Sequence, residues 1–267
     1  MKAKLIALDL DGTLLSSRKS ITPRTHTALR QAIAAGVKIV LATARPPRSV
    51  KSYYDALKLD TLQINYNGAL VWHEPSRKVF SHTPLDAKLT KRVIEFARRE
   101  YPEVIVSVEI LDKWYTDHFA ESPEYQTETA KHFTPDFIGP IDAFLRVPVT
   151  KLMFLGPQVM MDDLWTSTPR KFGNDIAITR SDAHLLQIMH PATSKALALA
   201  SIAAEYNIPR EATLAIGDAP NDIAMMQWAA MALCPDNAWA EVKAIAKEVL
   251  PHHDEDPVAA AIERYVL

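Results

Sequence analysis

Leu5-Ile6-Ala7-Leu8-Asp9-Leu10-Asp11-Gly12-Thr13 decides how the rest of this chain is read. Its opening apolar run has the composition of a strand buried on both faces of a parallel sheet. The run stops on two carboxylates spaced i, i+2, and on an extended chain that spacing turns both side chains to the same face. Two acids side by side at the end of a buried strand repel, so each resists ionising unless a cation sits between them. A hard divalent ion with oxygen ligands, Mg²⁺ above all, is the natural neutraliser. Gly12 lets the backbone turn sharply and bring its N–H close to a ligand. The plainer alternative is a strand end carrying two solvated acids. A calcium loop is a third, but it needs further oxygen ligands at regular spacing and a helix before it, and here a strand comes first.

Composition narrows the classes. A chain of 267 residues has room for two domains or one large one. Its 48% hydrophobic and 23% charged residues describe an ordinary globular protein. A formal net charge of -2 offers no basic face for nucleic acid or an anionic membrane. The single cysteine, Cys234, excludes an internal disulfide and suggests a reducing compartment. Lys2 and Lys4 precede an apolar run, but Asp9 and Asp11 interrupt it too early for a signal peptide. No segment approaches the length of a transmembrane helix, and the expected location is the cytoplasm.

Only seven glycines occur, and Gly12, Gly68 and Gly217 each follow an apolar run beside Asp or Asn. In open α/β sheets such strand ends are where ligands bind. Ser20-Ile21-Thr22-Pro23 opens a helix to about Ala35, and Val37–Ala42 reads as the next buried strand, ending in Thr43-Ala44-Arg45-Pro46. A hydroxyl and a guanidinium at a strand end suit an oxyanion such as phosphate, although a capped helix start with a surface arginine has the same composition. A helix over Val50–Leu57 leads to a third strand end at Ile64–Ala69, which contains Asn67-Gly68. A hairpin follows, with arms at Leu70–Trp72 and Lys78–His82.

The pattern then changes. Leu85–Glu100 is an amphipathic helix, and strands are expected at Val104–Ile110 and Trp114–Thr116. A short helix near Glu121–Lys131, a strand at Lys151–Leu155, a helix over Gln158–Phe172 and strands at Asp175–Thr179 and Leu185–Met189 complete an α+β module. Its aromatics, Trp114, Tyr115, Phe119, Phe133, Phe137 and Phe144, are expected in its core. After His190-Pro191 the alternating pattern returns. It gives helices over Ala196–Tyr206, from Asn221-Asp222 to about Trp228, over Trp239–Glu248 and over Pro257–Tyr265, with strands at Thr213–Ile216, Ala230–Cys234 and Val249-Leu250. The simplest organisation is one α/β core built from residues 1–82 and 190–267, with 83–189 inserted as a second domain.

Four stations at strand ends or helix starts make a coherent site. A carboxylate can attack phosphorus and form an aspartyl-phosphate, so Asp9 is the candidate nucleophile and Asp11 the candidate general acid and base. Thr43 and Lys195 would neutralise and orient the transferring group. Asp218 would complete a metal shell with Asp9 and Asp11, Asp222 would add a carboxylate, and Asn221 and the Gly12 N–H would donate to phosphate. Taken singly, Lys195 reads as a solvated lysine and the Asp218/Asp222 pair as helix N-terminal acids. The convergence of four stations in one sheet argues otherwise.

These residues resemble a known family. Asp9-Leu10-Asp11-Gly12-Thr13, Thr43, Lys195 and Gly217-Asp218-Ala219-Pro220-Asn221-Asp222 match, in order, the four motifs of the haloacid dehalogenase superfamily. Asn67-Gly68-Ala69 and the long insertion between Thr43 and Lys195 look like its Cof-type branch, which carries a large α/β type-two cap. The resemblance implies a Rossmann-like core, an inserted cap that selects substrate, Mg²⁺, and hydrolysis of phosphate monoesters of small metabolites, often sugars. It also places Arg45, Asn67 and Gly68 where this branch lines its substrate pocket. The chain departs from the family pattern at Ala196 (usually glycine), at Ala219-Pro220 (usually small polar or glycine) and at Asp236-Asn237-Ala238 (commonly Gly-Asn-Ala). These departures bear on loop geometry and on any role for Asn237, and they remove no catalytic carboxylate. A phosphomutase of the same fold would have to keep its phosphoenzyme from water, and nothing in the sequence shows such exclusion. A non-catalytic phosphate sensor would not need both Asp9 and Asp11. None of His118, His132, His184, His252 and His253 has a convincing metal-ligand spacing.

Overall fold

A computed structural model describes residues 2–118, 122, 125–127 and 129–267. The described chain divides into two compact units, residues 1–81 with 194–267 and residues 82–193. In chain order the first unit begins with β1 (Leu5–Leu8), α1 (Pro23–Ala34), β2 (Lys38–Leu41), α2 (Pro47–Ala56), β3 (Gln63–Asn65), β4 (Leu70–His73) and β5 (Lys78–His82). The second contains α3 (Ala87–Glu100), β6 (Ile105–Ile110), β7 (Lys113–Thr116), β8 (Phe137–Ile138), β9 (Lys151–Leu155), α4 (Gln158–Phe172), β10 (Ala177–Asp182) and β11 (Leu185–Met189). The chain then completes the first unit with α5 (Lys195–Glu205), β12 (Thr213–Ile216), α6 (Ile223–Trp228), β13 (Met231–Pro235), α7 (Ala240–Ile245), β14 (Glu248–Leu250) and α8 (Pro257–Tyr265).

The first unit is a doubly wound α/β core. Its parallel sheet runs β14-β13-β12-β1-β2, so the opening strand lies inside it, between β12 and β2. The uninterrupted apolar run of β1 follows from burial on both faces. Alternate residues go to opposite sides. Ile6 and Leu8 join Ile39, Leu41, Leu214 and Ile216 in a core with residues of α1, α2 and α8. Leu5 and Ala7 join Val40, Ala42 and Ala215 in a second core with residues of α5, α6 and α7. The alanines of α5 let it approach closely, with Ala198, Leu199, Ile202 and Ala203 buried. β3, β4 and β5 form a separate three-stranded sheet, tied to the end of β2 by a parallel bridge from Ala42 to Ile64. The third strand end is shorter than Ile64–Ala69 suggested, because Asn67 and Gly68 have positive φ and turn the chain as a 3₁₀ turn.

The second unit is α+β. Its sheet order is β10-β11-β9-β6-β7-β8, antiparallel except for the β7–β8 pair. Residues of α3 and α4 pack on one face in a core with Val106, Val108, Leu152, Phe154, Leu186 and Ile188. The aromatic residues do not all become core. Trp114 is buried, whereas Phe137 stays exposed, its ring tilted against Phe144, which itself stacks on Tyr115. The expected helix near Glu121–Lys131 lies partly outside the described residues, as does Phe119. The helix expected over Trp239–Glu248 stops at Ile245, because Glu248–Leu250 is needed to pair with β13. Among the described residues, no helix is long and apolar enough to cross a membrane.

Candidate active site

The parallel sheet delivers the candidate residues. β12, β1 and β2 are neighbours in register, with Leu8 opposite both Ile216 and Leu41, so the residues just beyond those strands emerge side by side. Asp9 follows β1 directly, and its N–H donates to the Ile216 carbonyl at 3.0 Å. Asp218 follows β12 after Gly217, and Thr43 follows β2 after Ala42. Thr43 is buried and pinned by its backbone, its N–H donating to Ile64 O at 2.9 Å while its carbonyl accepts from Asn67 N–H at 3.0 Å.

A lysine holds the carboxylates together. Lys195 is the first residue of α5, after the Ser194 cap whose hydroxyl accepts from the Ala196 and Leu197 N–H groups. Its ammonium has no exposed surface and donates to Asp9 Oδ1 at 2.7 Å and Asp222 Oδ1 at 2.6 Å. Burial alone would lower the lysine pKa, but the charges of Asp222 and Asp9 outweigh it and raise the value, so Lys195 is held cationic. Asp222 is fully buried. Its second oxygen accepts from the backbone N–H groups of Asp218 and Ala219, both at 3.1 Å, and so shapes the loop that presents Asp218. The helix start is set by Gly68, where a side chain would run into the Ser194 carbonyl.

Asp9, Asp218 and Asp222 each offer an oxygen within 4.8 Å of the others, all three buried. Burial, and then the charge of Asp222, raise the Asp9 pKa well above the ordinary carboxylate value despite Lys195. The same two causes push Asp218 up to about 6, against a 2.7 Å bond donated by the Thr13 hydroxyl. Three buried carboxylates sharing one ammonium leave a deficit of positive charge. All-oxygen donors at this spacing fit a hard divalent cation. Gly12 is where this cluster meets the turn that follows β1: its φ is +81°, and an added Cβ would lie 2.5 Å from Asp218 Oδ2.

Asp11 does not join the cluster. β1 ends at Leu8, so the alternation that would turn Asp9 and Asp11 to one face no longer operates at Asp11. Its carboxylate is 39% exposed and faces Arg45 instead, accepting from Nε at 2.7 Å and from Nη2 at 2.6 Å, with Lys19 Nζ at 2.7 Å. Burial favours the neutral acid, but Arg45 and Lys19 prevail and hold its pKa below the ordinary value. Asp11, expected among the metal ligands, is therefore not brought into the cluster of Asp9, Asp218 and Asp222. Arg45 also lies over the Tyr53 ring, 5.8 Å from its centroid. Asn221 and Asn67 are brought together, the Asn221 amide donating to Asn67 Oδ1 at 3.0 Å. Asn237 takes a backbone role: its Nδ2 donates to Gly12 O at 2.8 Å, and its Oδ1 accepts from His253 N–H at 3.0 Å. The sequence reading gave no part to the Thr13 hydroxyl or to Lys19. Thr13 lay inside the quoted stretch and was legible as a polar neighbour of Asp11. Lys19 reaches Asp11 only through a turn with positive φ that no pattern announces.

A model of the haloacid dehalogenase-like hydrolases matches residues 6–262. The chain belongs to that family. Among its relatives are phosphatase YwpJ of Bacillus subtilis, 29% identical over 96% of this chain and 97% of the relative, and 5-amino-6-(5-phospho-D-ribitylamino)uracil phosphatase YitU of the same organism, 28% identical over 99% of this chain and 98% of the relative. A haloacid dehalogenase-like hydrolase from Bacteroides thetaiotaomicron has the same fold, with a TM-score of 0.89, 26% identity, and coverage of 98% of this chain and 99% of that one. The four-motif resemblance and the α/β core with an inserted α+β unit agree with these matches.

Proposed function

We propose that this enzyme hydrolyses phosphate monoesters of small metabolites through an aspartyl-phosphate on Asp9. The observation that carries the reading is the buried Asp9 carboxylate held by Lys195 beside Asp218 and Asp222 at the ends of adjacent parallel strands. Asp9, Asp218 and Asp222 would hold Mg²⁺, which when bound neutralises phosphoryl oxygens and the carboxylate cluster. Asp9 attacks phosphorus, forming the Asp9–phosphorus bond as the bond to the leaving alkoxide breaks. Lys195 fixes the Asp9 oxygen, and the Thr43 hydroxyl and Asn221 amide orient the transferring group. Asp11 gives its proton to the leaving oxygen and then takes one from the water that hydrolyses the intermediate. In the observed arrangement Asp11 is ionised against Arg45 and Lys19, so it acts as the acid only after releasing them and taking up a proton from solvent. A phosphate dianion competes for the Arg45 guanidinium, which binds either oxyanion through a two-pronged fork. Asn67 and Gly68 shape the neighbouring turn, and the unit spanning residues 82–193 is assigned the choice of substrate.

The test is phosphate release from a panel of phosphorylated metabolites, including sugar phosphates and the ribitylaminouracil phosphate that relatives are named for. The reading expects several esters to turn over with Mg²⁺, one class to stand out in kcat/KM, and a chelator to stop all of them. Undiminished turnover by Asp9→Asn would sink it.

A further inference from the structure

Outside the carboxylate cluster, one other group of ligating side chains converges among the described residues of the first unit. His252, His253 and Asp254 sit at the 3₁₀ turn between β14 and α8, and each offers one ligand atom within 4.8 Å of the others. His252 Nδ1 lies 3.7 Å and His253 Nε2 3.9 Å from the same oxygen, Asp254 Oδ2. Three ligands at about 2.0–2.1 Å from a tetrahedral ion stand roughly 3.4 Å apart, so both nitrogens need draw in by only about half an ångström.

The ring contacts orient the site. His253 Nδ1 lies 2.8 Å from the Leu15 carbonyl, which can only accept, so Nδ1 carries a hydrogen, and Nε2 faces Asp254 with the Ser17 hydroxyl oxygen 3.5 Å away. An imidazole fixed by its other nitrogen on a backbone carbonyl is the usual support for a metal-bound histidine. His252 Nδ1 accepts the Asp254 N–H at 3.3 Å, the cap of this turn, so an ion taking that nitrogen's single lone pair would replace this long bond. Asp254 is steadied by Ser17, whose N–H donates to Oδ1 at 2.7 Å and whose hydroxyl donates to Oδ2 at 2.6 Å.

We infer that His252, His253 and Asp254 form a second cation site, for a borderline transition ion of the Zn²⁺ class. Two imidazoles and one carboxylate suit such an ion better than Mg²⁺, which prefers oxygen alone. The position matters because this turn grips the catalytic segment at three points: Leu15 through His253, Ser17 through Asp254, and Gly12 through Asn237, which accepts from His253 N–H. An ion here ties that segment down without touching the reacting atoms.

The test reads binding, so it stands or falls independently of the proposed hydrolysis. The full chain, with excess Mg²⁺ present, is titrated with Co²⁺ and followed by visible absorption. One equivalent should give the d–d bands of low-coordinate cobalt, and Zn²⁺ should abolish them. His252→Asn keeps a capping side chain at the turn but removes the imidazole, and should lose the bands. Asp218→Asn should keep them, and Ser17→Ala should weaken Co²⁺ binding by about 10–100-fold by removing the outer support of Asp254. Bands absent from the wild-type chain, surviving in His252→Asn, or lost in a folded Asp218→Asn protein would overturn the assignment.

Discussion

Replacing Lys195 with methionine removes the one cation buried between Asp9 and Asp222 while keeping most of the side chain's bulk. The ammonium has no exposed surface, and both of its partners are buried. Breaking a buried ion pair by deleting one partner costs about 3–5 kcal/mol, because a buried charge is left uncompensated. Here two carboxylates lose their partner, so the upper half of that range is expected without metal. For a chain of this size it corresponds to a fall in Tm of roughly 8–20 °C. Two routes relieve the strain. Asp9, whose pKa is already raised, takes up a proton as the pH falls, and a bound cation stabilises the folded state by mass action. Thermal unfolding should therefore be compared with wild type at about pH 8 in chelator, at about pH 5.5 in chelator, and at about pH 8 with Mg²⁺. The deficit should be largest in the first condition and shrink in the other two. A deficit below about 1 kcal/mol at pH 8 in chelator would refute the argument that Lys195 is the counter-charge on which the site is built.

Other substitutions separate the remaining roles. Gly12→Ala places a Cβ 2.5 Å from Asp218 Oδ2 at a φ of +81°, so Mg²⁺ affinity and turnover should both fall while the second unit's secondary structure is unchanged; titration calorimetry and circular dichroism check this. Asp11→Asn should slow alkyl esters by about 10²–10⁴-fold and aryl phosphates less, because a good leaving group needs little protonation; equal losses would remove Asp11 as the acid. The folded-state pKa of Asp218, about 6 against an ordinary 3.8, means that the folded protein holds that proton more tightly than the unfolded chain. In metal-free protein this group's effect is absent below about pH 4 and costs about 3 kcal/mol by pH 7, most of it across pH 4–6. Subtracting the denaturation curve of Asp218→Asn should isolate that component, and a difference that does not change with pH would contradict it.

Where a residue follows a strand directly, its place was legible in the sequence. Asp9, Thr43 and Asp218 were placed by apolar runs that end in polar residues, because a parallel sheet puts successive strand ends on one edge. Asp11 was misplaced by the same reasoning carried two residues too far: the alternation holds only while the chain is extended, and β1 ends at Leu8. Lys19, the Asn237–Gly12 bond and the His253–Leu15 bond join residues through turns and across long sequence separations, which no local pattern reports. His252, His253 and Asp254 were passed over because consecutive residues fit no helix or strand ligand spacing, yet a 3₁₀ turn folds them onto one another. Helix α7 ended early because pairing of β14 with β13 outweighs the helical pattern of Ala246–Glu248.

The most direct test of the central claim is chemical capture of the intermediate. A single turnover of the best ester is quenched within milliseconds, the acyl phosphate is reduced with borohydride, and the chain is sequenced by mass spectrometry. The account predicts conversion of Asp9, and of no other carboxylate, to homoserine in substrate-treated enzyme and none in the untreated control. Rapid turnover with no converted residue, or conversion at Asp11 or Asp218 in place of Asp9, would contradict it.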